Sequence, residues 1–394
     1  MSVMPTSRNP FLSAWNDKQT RSVIIQIIAI ALIMACLSYI IRNAFVNLGT
    51  IGKDINFSFL WQPASYDINQ HLIEYTSRSS HFTAFLVGLI NTFLVAVAGI
   101  VLATAVGFLL GVMRLSDNWL IQRIAYVYIE FVRNVPVLLW ILLVHGLIIH
   151  SLPTPKNSYH LADIFFLNNR GMQSPSPDFQ PWFWGVLLAL IASLLFAWWF
   201  KHYAQRVQDR TGNAYSVLWI NWAVIVIIPS LAYWLLDSPI EWHIPMLQGF
   251  NFKGGMVVRP EFIALWLALS MYTAAFIGEI VRSGIMAVSH GQTEAAYALG
   301  LNSARTLNLV VIPQALRVII PPLTSQYLNL TKNSSLAIAI GYMDIVATIG
   351  GISLNQTGRE MECMLIVLLT YLMLSLLTSS VMNWYNHRIK LVDR

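Results

Sequence analysis

Eight long apolar segments constrain the fold of this chain more than any other feature. Each is close to the length, about 20 residues, that an α-helix needs to cross the hydrocarbon core of a bilayer. They cover residues 22–41, 82–113, 125–149, 182–200, 217–236, 262–288, 307–330 and 361–384. Only 11% of the 394 residues are charged, whereas a soluble protein of this size needs a far more charged surface. The sequence therefore predicts an all-α, polytopic protein with eight transmembrane helices in a lipid bilayer.

The distribution of basic residues predicts the orientation of these helices. Lys and Arg are more frequent in the two termini and in the connectors after segments two, four and six than in the longer alternate connectors. Cytoplasmic connectors of membrane proteins carry this excess. We therefore expect both termini, and the connector that begins near residue 289, in the cytoplasm. Because the net charge of +6 is scattered rather than gathered on one stripe, no nucleic-acid partner is expected.

Three local features refine this picture. Segment 22–41 is too long for the core of a signal peptide, so we expect a retained helix. Gly107 and Gly111 lie one turn apart in segment two and would let another helix of the chain approach closely. Pro136 predicts a kink or break in segment three. Residues 336–352 are too short and rich in glycine to cross, which favours a surface or re-entrant piece.

Charged residues inside the apolar segments are the candidates for function, because an ionisable group at membrane depth is costly. Glu130 and Arg133 in segment three, and Glu279 and Arg282 in segment six, share the pattern Glu-x-Val-Arg. Arg317 lies about 16 Å from the start of its segment, by the helical rise. An ion pair between residues i and i+3 would neutralise each Glu and Arg without any substrate.

The alternative is a pathway for a zwitterion, which needs both signs of charge close together. In that hypothesis Glu279 meets an ammonium group, and Arg317 or Arg133 meets a carboxylate, with Glu130 on the same route. Arg282 and Lys332 are interpreted instead as side chains that extend to the membrane surface.

The stretch 291–313 differs from its apolar neighbours. Ala295 and Ala296 are small where a partner would come close, Glu294 is expected in the first turn of a short helix, and Gly300 can end that helix in a left-handed conformation. These features predict a surface helix that docks a partner. An ordinary connector with a few alanines is the simpler alternative.

The spacing in this stretch resembles a family motif. The sequence Glu294-Ala295-Ala296, then Gly300 after three residues, then Val310, Ile312 and Pro313, resembles the EAA loop of bacterial ABC-importer permease subunits, EAA-x3-G-x9-I-x-L-P. Val310 and Ile312 depart from the motif but conserve volume. The resemblance implies that this loop is the coupling helix that contacts a cytoplasmic ATPase. The implied coupling residues are Gly291, Glu294, Ala295, Ala296, Leu299, Gly300 and Pro313.

Other motifs resemble the polar amino-acid uptake branch of these permeases. They include Asn91-Thr92, Glu130-Phe-Val-Arg133, Glu279-Ile-Val-Arg282 and Pro313-Gln-Ala-Leu-Arg317. The arrangement is similar to the Q-type permease subunit of the general L-amino acid transporters of alphaproteobacteria. The resemblance implies a subunit of the inner membrane that imports L-amino acids with three kinds of partner: an M-type permease, two copies of an ATPase, and a periplasmic amino-acid-binding protein.

The same resemblance divides the chain. Residues 82–150 and 260–388 would form the five-helix core of a type I importer, and 389–394 a cytoplasmic tail. Residues 1–81, with the first helix and an external loop, and the insert 151–259, with two more helices, would be additions to that core. The sequence leaves open whether the insert contacts the binding protein or packs laterally.

Two other functions are less consistent with the sequence. A secondary transporter driven by an ion gradient would favour two similar halves, whereas only Glu-x-Val-Arg repeats here. A membrane enzyme with a metal at His145, His150 and His160 lacks a recognised metal motif, so no metal and no cofactor is expected. The chain has no phosphate-binding Gly-x4-Gly-Lys-Ser/Thr loop, so ATP must be handled by a partner and the chain is not expected to be an enzyme.

Overall fold

The computed structural model describes residues 18–50, 55–212 and 215–389. Seven of its helices are long and apolar enough to cross a membrane, and a bent pair counted as one span makes eight. The predicted architecture is therefore confirmed. The predicted orientation also rests on basic residues of the two termini. Of these, Arg8 and those in the tail from residue 390 lie outside the described residues.

The helices are numbered here in chain order. They are α1 (Lys18–Thr50), α2 (His81–Met113), α3 (Trp119–Arg133), α4 (Val137–Ser151), α5 (Phe183–Thr211), α6 (Val217–Leu235), α7 (Pro260–Met286), α8 (His290–Ala298), α9 (Ser303–Thr306), α10 (Ile312–Asn333), α11 (Leu354–Thr357) and α12 (Glu360–Ile389). A π-helical turn, Leu307–Val311, joins α9 to α10, so that one continuous span begins at Ser303.

The third predicted segment is broken into two helices. The axes of α3 and α4 differ by 108° at a break that contains Pro136. Proline has no N–H to donate and clashes with the preceding turn, so a helix ends before it. The Asn134 side chain donates to the Glu130 carbonyl at 2.6 Å and closes the end of α3. The break expected at Pro136 is thus present.

Helix α7 forms the centre of the core, where it packs against α2, α4 and α10. The most extensive contact is with α2, along the glycine edge noted in the sequence. A Cβ atom added at Gly107 would lie 2.5 Å from Ile277 Cγ2, and one at Gly111 would lie 2.6 Å from Val281. These two glycines therefore allow the backbones of α2 and α7 to pack together.

The segment after α10 does not cross the membrane again. A 3₁₀ helix, Ser334–Ile340, ends at Gly341, whose φ of +78° is left-handed. A π-helical stretch, Val346–Ser353, follows, and the buried Asp344 lies two residues before it. One Asp344 oxygen accepts from the Ala347 N–H at 2.9 Å, and the other accepts from the Tyr371 hydroxyl at 3.1 Å. The carboxylate thereby ties this stretch to α12.

The insert contains β-structure that the sequence did not indicate. Its antiparallel strands are β1 (Tyr159–Leu161), β2 (Phe165–Asn168), β3 (Gly171–Ser174), β4 (Ser176–Phe179), β5 (Ile240–His243), β6 (Met246–Gln248), β7 (Asn251–Lys253) and β8 (Met256–Val258). Four of them form a sheet in the order β1-β2-β3-β8, while β4 pairs with β5 and β6 with β7. Runs of three or four residues are too short for an alternating pattern to show in the sequence. Helices α5 and α6 pack against each other as a hairpin.

Candidate functional site

Glu279 on α7 is the centre of a cluster of charges. Arg282, one turn further along, donates to both carboxylate oxygens, with Nε at 3.1 Å from Oε1 and 3.0 Å from Oε2. Its Nη2 lies 2.5 Å from Oε1, so the pair is bidentate. About a quarter of each side chain is exposed. The ion pair between residues i and i+3, which neutralises both charges on one helix face, is therefore present for Glu279 and Arg282.

Arg114 joins the same cluster, although it was not among the predicted site residues. It directly follows α2, and its Nη2 lies 3.7 Å from Glu279 Oε2. The guanidinium lies over the Tyr126 ring, 4.5 Å from the centroid. Its Nε is buried and has no hydrogen-bond partner among the described residues. Arg114 stands at the end of an apolar segment, where a basic residue normally marks only the membrane surface. The sequence therefore gave no reason to separate it from other interfacial arginines.

A cavity of about 310 Å³ opens beside Glu279, between α7, α10 and the end of α3. Its polar side chains are Arg133, Glu279, Ser283 and Gln326, set among apolar ones. Arg133 lies over the Phe276 ring, 5.4 Å from the centroid. The described lining of the cavity therefore places the Glu279 carboxylate, the Arg133 guanidinium and neutral hydrogen-bonding groups on one surface. Arg133 forms no ion pair among the described residues.

The structure separates the four predicted pathway residues into two pairs. Glu279 and Arg133 line the cavity, whereas Glu130 and Arg317 do not. The ion pair weighed for Glu130 with Arg133 is not formed within the described residues, because Arg133 extends toward Phe276 on α7. The two Glu-x-Val-Arg motifs therefore differ in geometry despite their common sequence.

The stretch 291–313 forms the short helix that its sequence predicts. Helix α8 begins after Ser289, so Glu294 lies in its second turn. The sequence had predicted the first turn, and this detail was wrong. Glu294 is 3.8 Å from His290 on the same exposed face. Gly300 ends the helix with φ of +78°, as predicted. Pro313 is the second residue of α10, which follows directly after the π-helical turn Leu307–Val311.

Helix α8 presents an apolar tip. Leu299 is 83% exposed and Tyr297 is 48% exposed, while Ala296 faces inward and is buried. Gln314 on α10 donates to Gln292 on α8 at 3.0 Å and fixes the helix against the following span. Gly291 and Ala295 are also exposed, which leaves the outer face of α8 free for a partner.

His145, His150 and His160, considered as metal ligands, do not gather in one place. Among the described residues there is no group of three or more His, Cys, Asp or Glu side chains that could hold a metal ion. His160 instead lies 3.7 Å from Asp163 in the strand region of the insert.

The fold and these sites define a membrane-embedded transport component, and comparisons with known proteins identify its family. Residues 99–391 match the model of the binding-protein-dependent transport system inner membrane component family. The chain belongs to this family.

Individual relatives are similar over almost the whole chain. The general L-amino acid transport system permease protein AapQ of Rhizobium johnstonii is 46% identical over 388 residues, which cover 98% of this chain and 96% of the relative. The glutamate/glutamine/aspartate/asparagine transport system permease protein BztB of Rhodobacter capsulatus is 46% identical, with 96% of each chain covered. The predicted resemblance to Q-type permeases is confirmed.

A shorter relative matches only part of the chain. The glutamate/aspartate import permease protein GltJ of Escherichia coli K12 is 29% identical over 222 residues, which cover 88% of that protein but 53% of this chain. About half of the present chain therefore suffices to align with most of a smaller permease.

Proposed function

We propose that this chain is the permease subunit of an ATP-binding-cassette importer that carries L-amino acids across the inner membrane. The observation that carries the proposal is the exposed tip of α8, which lies between the spans α7 and α10. Its apolar side chains, Leu299 and Tyr297, are exposed in the described part of the chain. Family membership and the relatives AapQ and BztB, which are amino-acid transport permeases, support the substrate class, and the import permease GltJ supports the direction of transport.

The coupling step is proposed to act through α8. Leu299 and Tyr297 would enter a groove of the ATPase, and Gly291, Glu294 and Ala295 would line the contact. Because Gln292 is bonded to Gln314, a displacement of α8 would pass directly to α10. Helix α10 also borders the cavity beside Glu279, through Val318, Pro322 and Gln326. Helix α10 thus connects the docking surface to the cavity.

The cavity is proposed to be part of the substrate pathway. The amino acid would place its ammonium group toward Glu279 and its carboxylate toward Arg133. Both interactions gain strength where water is excluded. Glu130 and Arg317 remain proposed pathway residues that would act outside this cavity. The secondary-transporter alternative would leave the apolar tip of α8 without a function.

The partners follow from the same proposal. They are two copies of a cytoplasmic ATPase, a second permease of the M type and a periplasmic amino-acid-binding protein. With α8 against the ATPase, both termini lie in the cytoplasm, and the strands of the insert lie on the periplasmic side.

The test is co-purification of the ATPase with the permease complex, combined with uptake of radiolabelled L-amino acids. Leu299→Asp should abolish both, because it places a charge in an apolar contact. Leu161→Asp is the matched control, since Leu161 is 70% exposed on strand β1 of the insert. Normal ATPase retention in Leu299→Asp, or uptake that persists in vesicles without ATP, would contradict the proposal.

A further inference from the structure

A second cavity, of about 450 Å³, lies between α5 and α6 of the insert. Its lining consists of Lys201, Val217, Leu218, Asn221, Trp222 and Ile225. We propose that this cavity binds an anionic phospholipid of the cytoplasmic leaflet, with phosphatidylglycerol as the occupant. It is separate from the charged cluster at Glu279 and from α8.

The polarity of the cavity matches that of a lipid in this leaflet. Asn221 donates to the Ala197 carbonyl at 3.0 Å, which sets the level of α6 against α5. Lys201 is one turn beyond Ala197 toward the end of α5, level with the start of α6. Ile225 lies about 12 Å deeper than Val217, by the helical rise. The cation is therefore at the shallow end, beside Val217 and Leu218, and the deep end at Ile225 is apolar, an order that suits a phosphate above its acyl chains.

The charge at the shallow end favours an anion. Lys201 has no carboxylate within ion-pair distance in the described part of the chain. Arg206 and Arg210 follow further along the same helix and are not part of the cavity lining. Basic pockets between transmembrane helices on the cytoplasmic side bind lipid head groups.

Aromatic residues place this end of the hairpin at the membrane surface. Trp198, Trp199 and Trp219 are all more than half exposed near the shallow end. Tryptophan is enriched at the level of the head groups, because its ring is apolar and its N–H seeks water. A lipid phosphate at Lys201 would therefore lie at its natural depth.

Net charge distinguishes among head groups. Lys201 supplies the positive charge of the described lining, so an anionic head group is favoured over a neutral one. Phosphatidylglycerol carries a net negative charge, whereas phosphatidylcholine and phosphatidylethanolamine are zwitterions without net charge.

The assignment of the lipid to the cytoplasmic leaflet rests on the orientation proposed above. The preference for an anionic head group does not depend on that orientation. Retention of lipid by the purified complex can therefore fail independently of transport. The measurement is native mass spectrometry of the full complex in mixed micelles that contain phosphatidylglycerol and phosphatidylcholine in equal amounts, with cardiolipin in a parallel sample.

Two variants address the two ends of the cavity. Lys201→Gln should lower phosphatidylglycerol retention about fivefold, which corresponds to about 1 kcal/mol per basic residue at the membrane surface. Ile225→Trp should lower retention by filling the deep end while the charge is intact. Arg206→Gln is the matched control, because Arg206 is a basic residue of α5 that does not line the cavity. It should change retention less than twofold.

Several results would overturn the proposal. These are equal retention of phosphatidylglycerol and phosphatidylcholine, a preference for cardiolipin, equal losses in Lys201→Gln and Arg206→Gln, or no loss in Lys201→Gln and Ile225→Trp. Loss of the second permease from the Ile225→Trp complex would show that a helix, not a lipid, occupies the cavity.

Discussion

Arg114 Nη2 lies 3.7 Å from Glu279 Oε2 and thereby connects the end of α2 to the middle of α7. Since Arg282 already holds the same carboxylate in a bidentate pair, Glu279 is shared by two guanidinium groups. Arg133 lies across the adjoining cavity. The cluster has three guanidinium groups and one carboxylate among the described residues, so it would attract the carboxylate of a substrate.

Replacement of Arg114 should impair transport more than replacement of its neighbour. Arg114 and Arg123 both lie over the Tyr126 ring, at 4.5 and 5.3 Å from the centroid. Only Arg114 also reaches Glu279. Because the pair is partly exposed, we expect Arg114→Gln to lower uptake about fivefold, equivalent to about 1 kcal/mol. Arg123→Gln should leave uptake near normal. Equal effects in uptake assays normalised to membrane protein would assign Arg114 to the membrane surface alone.

Glu279→Gln should reduce uptake strongly, because it removes the one carboxylate that lines the cavity and leaves Arg114 and Arg282 without a counter-charge. Truncating one partner of a close charge pair also leaves the other charge uncompensated. Glu130→Gln is the comparison, since Glu130 lies outside the cavity. Initial rates of uptake over a range of amino-acid concentrations would separate binding from turnover. Normal rates in Glu279→Gln, at normal expression, would remove the residue from the pathway.

Gly300→Ala should weaken ATPase binding, while Gly146→Ala on α4 should not. A Cβ atom at either position would meet nothing within 4 Å, so crowding is equal at the two sites. Gly300 alone has a left-handed φ, +78°, which costs a residue with a Cβ about 1 kcal/mol. The end of α8, and with it Leu299, would change position. The measurement is the amount of ATPase retained per permease after purification. A loss in both variants would show that the left-handed conformation at Gly300 is not the cause.

Gly107→Ala should destabilise the complex, because the added Cβ would lie 2.5 Å from Ile277 Cγ2. Overpacking of this kind costs about 1–3 kcal/mol. Gly146→Ala on α4 meets no atom within 4 Å and serves as the control. Ile277→Ala in the Gly107→Ala background should recover part of the loss. Thermal unfolding of the purified complex in detergent measures all three. An unchanged midpoint in Gly107→Ala would mean that α2 and α7 separate without cost.

The spans were predictable because bilayer thickness fixes the length of an apolar helix. The broken third span followed from Pro136, and the end of α8 from Gly300, since both residues restrict the backbone locally. The α2–α7 contact was indicated by Gly107 and Gly111, although the identity of the facing residues was not.

Other features depend on tertiary structure that one sequence does not contain. The strands of the insert are three or four residues long, and their pairing joins residues as distant as Met172 and Val258. Arg114 reads as an interfacial arginine until α7 places Glu279 beside it. Glu130 and Glu279 have the same local motif, yet of the two only Glu279 lines the cavity. Glu130 lies on α3, which the break at Pro136 separates from α4 at an angle of 108°.

Asp344→Leu should destabilise the complex more than Asp344→Asn. The buried carboxylate accepts from the Ala347 N–H and from the Tyr371 hydroxyl; leucine would leave the Ala347 N–H unpaired and the Tyr371 hydroxyl with the longer contact to Ser334 Oγ, at 3.4 Å. An unpaired buried donor costs about 1–3 kcal/mol. Asparagine keeps an oxygen for Ala347 and an amide that can donate to Tyr371. Asp178→Leu, at an exposed aspartate of β4, controls for the loss of charge. Thermal unfolding in detergent should rank Asp344→Leu lowest, with Tyr371→Phe between it and the unaltered protein. If Asp344→Asn unfolded as early as Asp344→Leu, the negative charge rather than the two hydrogen bonds would hold this stretch to α12.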